Sequence, residues 1–135
     1  MVDRRKTTGF CGANDKIRIG RAALHFFEEP CISGNAGSGA VFFSGCNLKC
    51  VFCQNYEISE SNIGKEISVE KLCDILLDLQ NQGALNINLV TPTHFVPLIQ
   101  DVLIMAKNKG LNIPIVYNTS GYESVSTLKM LDGLV

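Results

Sequence analysis

Short apolar runs alternate with stretches of helical periodicity along most of this chain. Three short runs are typical of buried strands, and they cover residues 40–43, 85–90 and 113–117. Three stretches with apolar residues at helical spacing predict helices, and they cover about residues 68–82, 95–109 and 123–131. Because strand and helix alternate, the pattern predicts an α/β fold with a parallel sheet built from right-handed βα crossovers.

Capping residues mark the ends of the predicted helices. Ser68 suits the N-cap of the first helix, and Gly83 follows its last turn. Pro97 is tolerated in the first turn of the second helix, and Gly110 suits its C-terminal cap. Gly133 ends the third helix. Each helix therefore has a local stop signal.

The first 39 residues lack this alternation and form a lead-in. A strand and a short helical piece are predicted within residues 17–27, and a glycine-rich loop with Gly34 and Gly37 follows. A phosphate-binding loop follows a strand and opens a helix, whereas this loop precedes a strand, so we interpret it as a turn. The predicted organisation is a cysteine-containing lead-in over residues 1–39 and a core domain over residues 40–135.

Composition narrows the class of protein. Of 135 residues, 46% are hydrophobic, and 12 basic residues nearly balance 13 acidic ones. The chain has no basic stripe for nucleic acid and no polybasic helix for a membrane surface, and no apolar run approaches the ~18 residues of a membrane span. It opens on a polar segment, which predicts no signal peptide. Six cysteines in such a chain predict reduced thiols and metal ligands, so we expect a cytoplasmic protein.

Three of these cysteines follow the first core strand within eight residues. Cys46, Cys50 and Cys53 can converge on one metal centre, but three thiolates are one ligand short of a structural zinc site or a four-cysteine cluster. A three-cysteine cluster leaves one iron free to bind another molecule. The alternative is a zinc site that takes a fourth ligand such as His94 or Cys31.

The spacing Cys-x-x-x-Cys-x-x-Cys, with Phe52 before the last cysteine, resembles the signature of the radical S-adenosylmethionine (radical SAM) enzymes. Further stretches are similar to the pyruvate formate-lyase activating-enzyme-like branch of that family, and they cover residues 21–34, 53–59, 88–95 and 116–122. The resemblance implies the N-terminal half of a partial (β/α) radical SAM barrel, with three parallel βα units after an irregular lead-in. It also implies that Cys46, Cys50 and Cys53 hold a [4Fe–4S] cluster.

The resemblance further implies an enzyme that binds S-adenosylmethionine (SAM) at the open iron. The reduced cluster would cleave SAM to methionine and a 5′-deoxyadenosyl radical, which abstracts hydrogen from a substrate. The implied partners are SAM, an electron donor such as flavodoxin or ferredoxin, and a protein substrate. The closest analogy is activation of a glycyl-radical enzyme. No residue is assigned a catalytic role.

Two polar clusters follow the second and third predicted strands, where sites gather in parallel α/β folds. Thr91 and Thr93 stand where many radical SAM enzymes carry a Gly-Gly-Glu stretch that binds the SAM amino group. His94 can donate to an anion or relay a proton. Asn118 and Ser120 suit the ribose hydroxyls or the carboxylate of SAM, with turn formation before a glycine as the alternative.

Other candidate residues are less defined. The backbone at Phe52 contacts adenine in the resembled family, while its side chain is either part of the core or a lid on the cluster. Cys73 falls on the apolar face of a predicted helix and is interpreted as a packing residue. The roles of Cys11 and Cys31 stay open, with a second metal or a substrate-side role as alternatives.

Members of the resembled branch are longer than this chain at both ends. We therefore expect a fragment that catalyses poorly and self-associates through an unpaired sheet edge. The alternative function is a non-catalytic iron–sulfur or zinc-binding fragment.

Overall fold

A computed structural model describes residues 3–61 and 63–135. Within them, strands β1 to β5 cover Ile17–His25, Ser38–Phe43, Lys65–Ile67, Ile87–Val90 and Ile115–Asn118. Helices α1 to α5 cover Pro30–Ser33, Tyr56–Ser59, Val69–Asn81, Val96–Asn108 and Val125–Lys129. A short 3₁₀ turn, Thr93–Phe95, leads directly into α4. None of the helices in this part of the chain is long and apolar enough to cross a membrane.

The five strands form one mixed sheet in the order β3-β1-β2-β4-β5. Strands β2, β4 and β5 run parallel to one another, whereas β1 pairs antiparallel with both β2 and β3. The α/β class predicted from the periodicity is therefore confirmed as a mixed α/β fold. The lead-in is more regular than expected, because β1 is a nine-residue strand that continues the sheet beyond β2.

Helix α3 forms as its capping signals predict. The Ser68 hydroxyl accepts a hydrogen bond from the backbone N–H of Lys71, which satisfies one of the free donors of the first turn. The helix turns one face to the core, with Leu72, Cys73, Leu76 and Leu79 buried. Cys73 is fully buried in that face, which confirms its packing role.

Helix α4 packs beside α3 on the same face of the sheet. Pro97 lies in its first turn, where a missing N–H costs nothing, and Gly110 follows its end with a φ of 104°. Its buried residues are Val96, Ile99, Val102, Leu103 and Ala106. Helix α5 is shorter than the predicted segment, and Ser124 caps it by accepting from the N–H of Thr127.

The main core lies between the sheet and helices α3 and α4. Ile87 and Leu89 of β4 belong to it and are almost fully buried. Because side chains alternate along a strand, Asn88 lies on the opposite face of the sheet. Asn88 is fully buried, and its side-chain amide forms no hydrogen bond with the described residues. A buried amide usually has a partner, which marks this second face as a place where a ligand or ordered water is expected.

Candidate functional site

The carboxyl ends of the three parallel strands meet at one edge of the sheet. Phe42 of β2 lies opposite Val90 of β4, and Val90 lies opposite Asn118 of β5. The cysteine loop, the segment that begins with Thr91 and the segment that begins with Thr119 therefore leave the sheet side by side. This is the edge at which parallel α/β folds place their sites.

Hydrogen bonds join the three segments to each other. Nε2 of His94 lies 2.8 Å from the carbonyl oxygen of Ser44, just before the cysteine loop. The backbone N–H of Thr91 donates to the carbonyl oxygen of Asn118 over 2.9 Å. Oγ1 of Thr93 lies 3.3 Å from Oγ1 of Thr119. A shift in one segment would therefore be transmitted to the other two.

The cysteine loop carries three free thiols. Cys50 is exposed, and Cys46 and Cys53 are partly buried. The backbone N–H of Leu48 donates to Sγ of Cys46 over 3.4 Å, and the Ser59 hydroxyl donates to Sγ of Cys53 over the same distance. Hydrogen bonds to sulfur are among the features that set the potential of an iron–sulfur cluster.

The cysteine loop has the right type of ligand for an iron–sulfur cluster, but its thiols are not gathered around one point. Three free thiols in one short loop are the soft ligand set that an iron–sulfur cluster selects. Over residues 3–61 and 63–135, however, the structure does not gather three or more His, Cys, Asp or Glu side chains into a group that could hold a metal ion. The ligand set fits a cluster in kind, and the thiols would have to move together to bind it.

The base of the loop is fixed while its tip is exposed. Gly45 donates its N–H to the carbonyl oxygen of Ile58, and the Ser44 hydroxyl donates to the carbonyl oxygen of Ile63, at 2.9 and 2.7 Å. At the tip, Phe52 is 85% exposed. Its side chain is therefore outside the core, which leaves the lid role as the open alternative for it.

His94 is buried rather than placed at an open edge. It is 8% exposed, and burial lowers its pKa to about 4, with the carbonyl of Ser44 opposing that shift and Arg4 adding to it. The ring is therefore neutral near neutral pH, with Nε2–H assigned as donor to Ser44, and Nδ1 has no partner among the described residues. The Arg4 guanidinium also donates to the backbone carbonyl of His94. These contacts favour a neutral hydrogen-bonding role over the proton relay considered from the sequence.

Glu123 is a site residue that the sequence did not reveal. One of its oxygens, Oε1, receives hydrogen bonds from the hydroxyls of Thr93 at 2.5 Å, Tyr117 at 3.2 Å and Thr119. Partial burial raises the pKa of Glu123, but these three hydrogen bonds outweigh it and hold the pKa below its usual value. Burial raises the pKa of Tyr117 to about 12. In the sequence, Glu123 is only an acidic residue five positions after the end of β5, and acidic residues at such positions are too common to indicate a site.

The remaining candidate residues differ in burial and in position. Asn118 and Ser120 are exposed, and neither side chain forms a hydrogen bond within the described ranges. Thr91 is partly buried and has a positive φ of 57°, a conformation that is uncommon for a β-branched residue. Cys11 is buried in the core, and Cys31 is exposed on α1.

Comparison with known proteins shows the family to which the chain belongs. The family model described as the radical SAM superfamily matches residues 40–134. The chain is also similar to an uncharacterized protein of Methanocaldococcus jannaschii, MJ0674, with 31% identity over 144 aligned positions. That match covers 99% of this chain and 40% of the relative, so the chain spans about two fifths of the length of that protein. The family match includes the cysteine loop, most of β2 and the whole of β4 and β5, and the chain therefore belongs to the radical SAM superfamily.

Proposed function

We propose that this chain holds a [4Fe–4S] cluster through Cys46, Cys50 and Cys53 and binds SAM at the adjoining sheet edge. The observation that carries the proposal is the position of three free thiols at the carboxyl end of β2, inside the family match. When bound, the cluster and SAM would supply a radical that abstracts hydrogen from a substrate. The remaining roles concern how the chain's own residues bind and orient these groups.

Each segment at the edge has a proposed role. The cysteine loop supplies the thiolates, and Phe52 at its exposed tip closes over the bound groups. Thr91 and Thr93 accept hydrogen bonds from the SAM amino group. Asn118 and Ser120, exposed at the end of β5, bind the ribose hydroxyls or the SAM carboxylate. His94 holds the Thr93 segment against Ser44, at the base of the loop, through its 2.8 Å contact.

Residues 40–135 would be part of a radical SAM barrel with three parallel βα units, preceded by a lead-in over residues 1–39. The branch would be the pyruvate formate-lyase activating-enzyme-like one, with a glycyl-radical enzyme as the protein substrate. A flavodoxin or ferredoxin would deliver the electron in the cytoplasm.

Anaerobic reconstitution with iron and sulfide tests the cluster. We expect a brown protein with about four irons and four sulfides per chain. Stoichiometric zinc without visible absorbance would instead support the zinc-binding alternative. Addition of SAM should change the electron paramagnetic resonance spectrum of the reduced cluster. An unchanged spectrum would support a non-catalytic iron–sulfur fragment.

A pair of variants tests the ligand set. Cys50→Ser should abolish cluster binding, because a hydroxyl does not replace a thiolate as a ligand for iron. Cys73→Ser is the matched control, because Cys73 is fully buried in the core-facing side of α3, and the substitution should leave the iron content unchanged. Equal iron loss in both variants would show that the assigned ligand set is wrong.

A further inference from the structure

The carboxylate of Glu123 accepts hydrogen bonds from three hydroxyl groups that belong to two different segments. Thr93 lies in the 3₁₀ turn after β4, and Tyr117 and Thr119 belong to β5 and the segment after it. All three donate to the same carboxylate oxygen. Thr93 is 30 residues away from Glu123 along the chain, so the cluster exists only because β4 and β5 are neighbours.

The number of protons in the cluster determines which oxygen lone pairs of Thr93 and Thr119 can accept a further hydrogen bond. Each threonine hydroxyl has one proton, and the shorter contact of each is with Glu123 rather than with the other threonine. Their oxygens, 3.3 Å apart, then face each other with lone pairs. The N–H of Gly121 donates to Oγ1 of Thr119 over 3.2 Å and uses one of these lone pairs. At least one lone pair on each threonine still lacks a donor.

The charge of the cluster favours a cation. Glu123 forms no ion pair with a basic side chain among the described residues. Its hydroxyl partners favour the ionised carboxylate, and Tyr117 stays protonated as a donor. The two free acceptors therefore lie beside a negative charge that forms no ion pair with a basic side chain in the described part of the chain.

We propose that Glu123 positions Thr93 and Thr119 as paired hydrogen-bond acceptors for a protonated amino group. This inference rests on the proposed function, in which that group is the α-ammonium of SAM. Glu123 is a positioning residue: it orients the two hydroxyls by accepting a hydrogen bond from each, and its charge adds long-range attraction for the cation. The neutral donors of a ribose or an amide gain less from this arrangement than an ammonium group does.

The test compares two ligands on the reconstituted protein under anaerobic conditions. SAM carries the amino group, whereas 5′-methylthioadenosine shares its adenosine part and lacks both the amino and the carboxylate groups. Glu123→Gln removes the charge. Its amide N–H₂ can donate to one threonine oxygen, and that hydroxyl would then present its proton, rather than a lone pair, to the ligand. We expect the substitution to weaken SAM binding about tenfold, the size of one charge-assisted hydrogen bond, and to leave 5′-methylthioadenosine binding unchanged.

The pH dependence of SAM affinity distinguishes a positioning role from a structural one, because a purely structural residue would not alter that dependence. In the wild type, SAM affinity should fall as pH rises through about 8, where an α-amino group loses its proton. In Glu123→Gln this dependence should flatten. Thr119→Val, which removes one acceptor at similar volume, should reproduce the selective loss for SAM. Glu29→Gln, an exposed carboxylate beside α1 at the other end of β2, is the matched control and should behave like the wild type.

Binding of SAM by the wild type tests the proposed function, and the behaviour of Glu123→Gln tests the positioning role. If the wild type binds SAM and Glu123→Gln retains the same preference and pH profile, the positioning role is wrong and the proposed function stands. If both ligands lose affinity equally in Glu123→Gln and Thr119→Val, the cluster is structural and the inference is also overturned. If the wild type takes up a cluster and does not bind SAM, both proposals fall.

Discussion

Acidification is expected to destabilise this protein through His94. The unfolded chain exposes the ring, so its pKa returns to the ordinary value of 6.5, whereas burial holds it at about 4 in the folded protein. Between these two values the unfolded state binds more protons than the folded state. The free energy of unfolding is therefore at its full value above about pH 6.5 and falls as pH drops towards about 4.

The size of the effect follows from the two pKa values. The difference between 6.5 and about 4 corresponds to about 3 kcal/mol once the ring is protonated in both states. At about pH 5 the unfolded state is mostly protonated and the folded state mostly neutral, which gives a loss of about 2 kcal/mol relative to about pH 7.5. That loss is a large part of the stability of a single domain.

Urea unfolding of the cluster-free, reduced protein at several pH values measures this loss. His94→Gln is the matched variant, because its amide nitrogen can still donate to the carbonyl of Ser44 but does not titrate. Subtracting its pH dependence removes the contribution of the carboxylates. The difference between the two proteins should change by about 2 kcal/mol between about pH 7.5 and about pH 5. A parallel pH dependence in both proteins would refute the burial and the neutral state assigned to His94.

Two further substitutions test the supports of the sheet edge. Ser68→Ala should lower the free energy of unfolding by about 1 kcal/mol, because the N–H of Lys71 loses its cap; an unchanged urea midpoint would contradict the cap. Gly64→Ala should cost about 3 kcal/mol, since its φ is 152° and an added Cβ would lie 2.5 Å from the carbonyl oxygen of Ile19. Gly110→Ala, with a positive φ and open space around it, is the control and should cost about 1 kcal/mol; equal losses in the two glycine variants would rule out the close approach.

Local signals explain why much of the fold was predictable. The helix N-cap at Ser68, the glycine after α4 and the apolar spacing of α3 act within a few residues along the chain. The cysteine spacing is equally local, and it pointed to the cysteine loop before the sheet was known. These features could be read directly because their physical causes lie within one or two helical turns.

Pairing between distant segments was decided only in the tertiary structure. The sequence of the lead-in strand β1 does not indicate which strands it pairs with. In the structure it lies between β2 and β3 and pairs antiparallel with both, which makes the sheet mixed. Its position depends on which edge of the sheet remains open after β2 pairs with β4. That choice involves hydrogen bonds between residues far apart in the chain, which periodicity does not encode.

The chemistry of the site shows the same division. The sequence identified His94 and Thr93 as polar residues after a strand, but their environments depend on Ser44, 50 residues from His94, and on Glu123, 30 residues from Thr93. Burial sets the pKa of His94, and the carboxylate of Glu123 sets the direction of the Thr93 hydroxyl. Residue type and spacing determined which groups are available, whereas dielectric environment and hydrogen-bond direction arise only when the parallel strands bring their ends together.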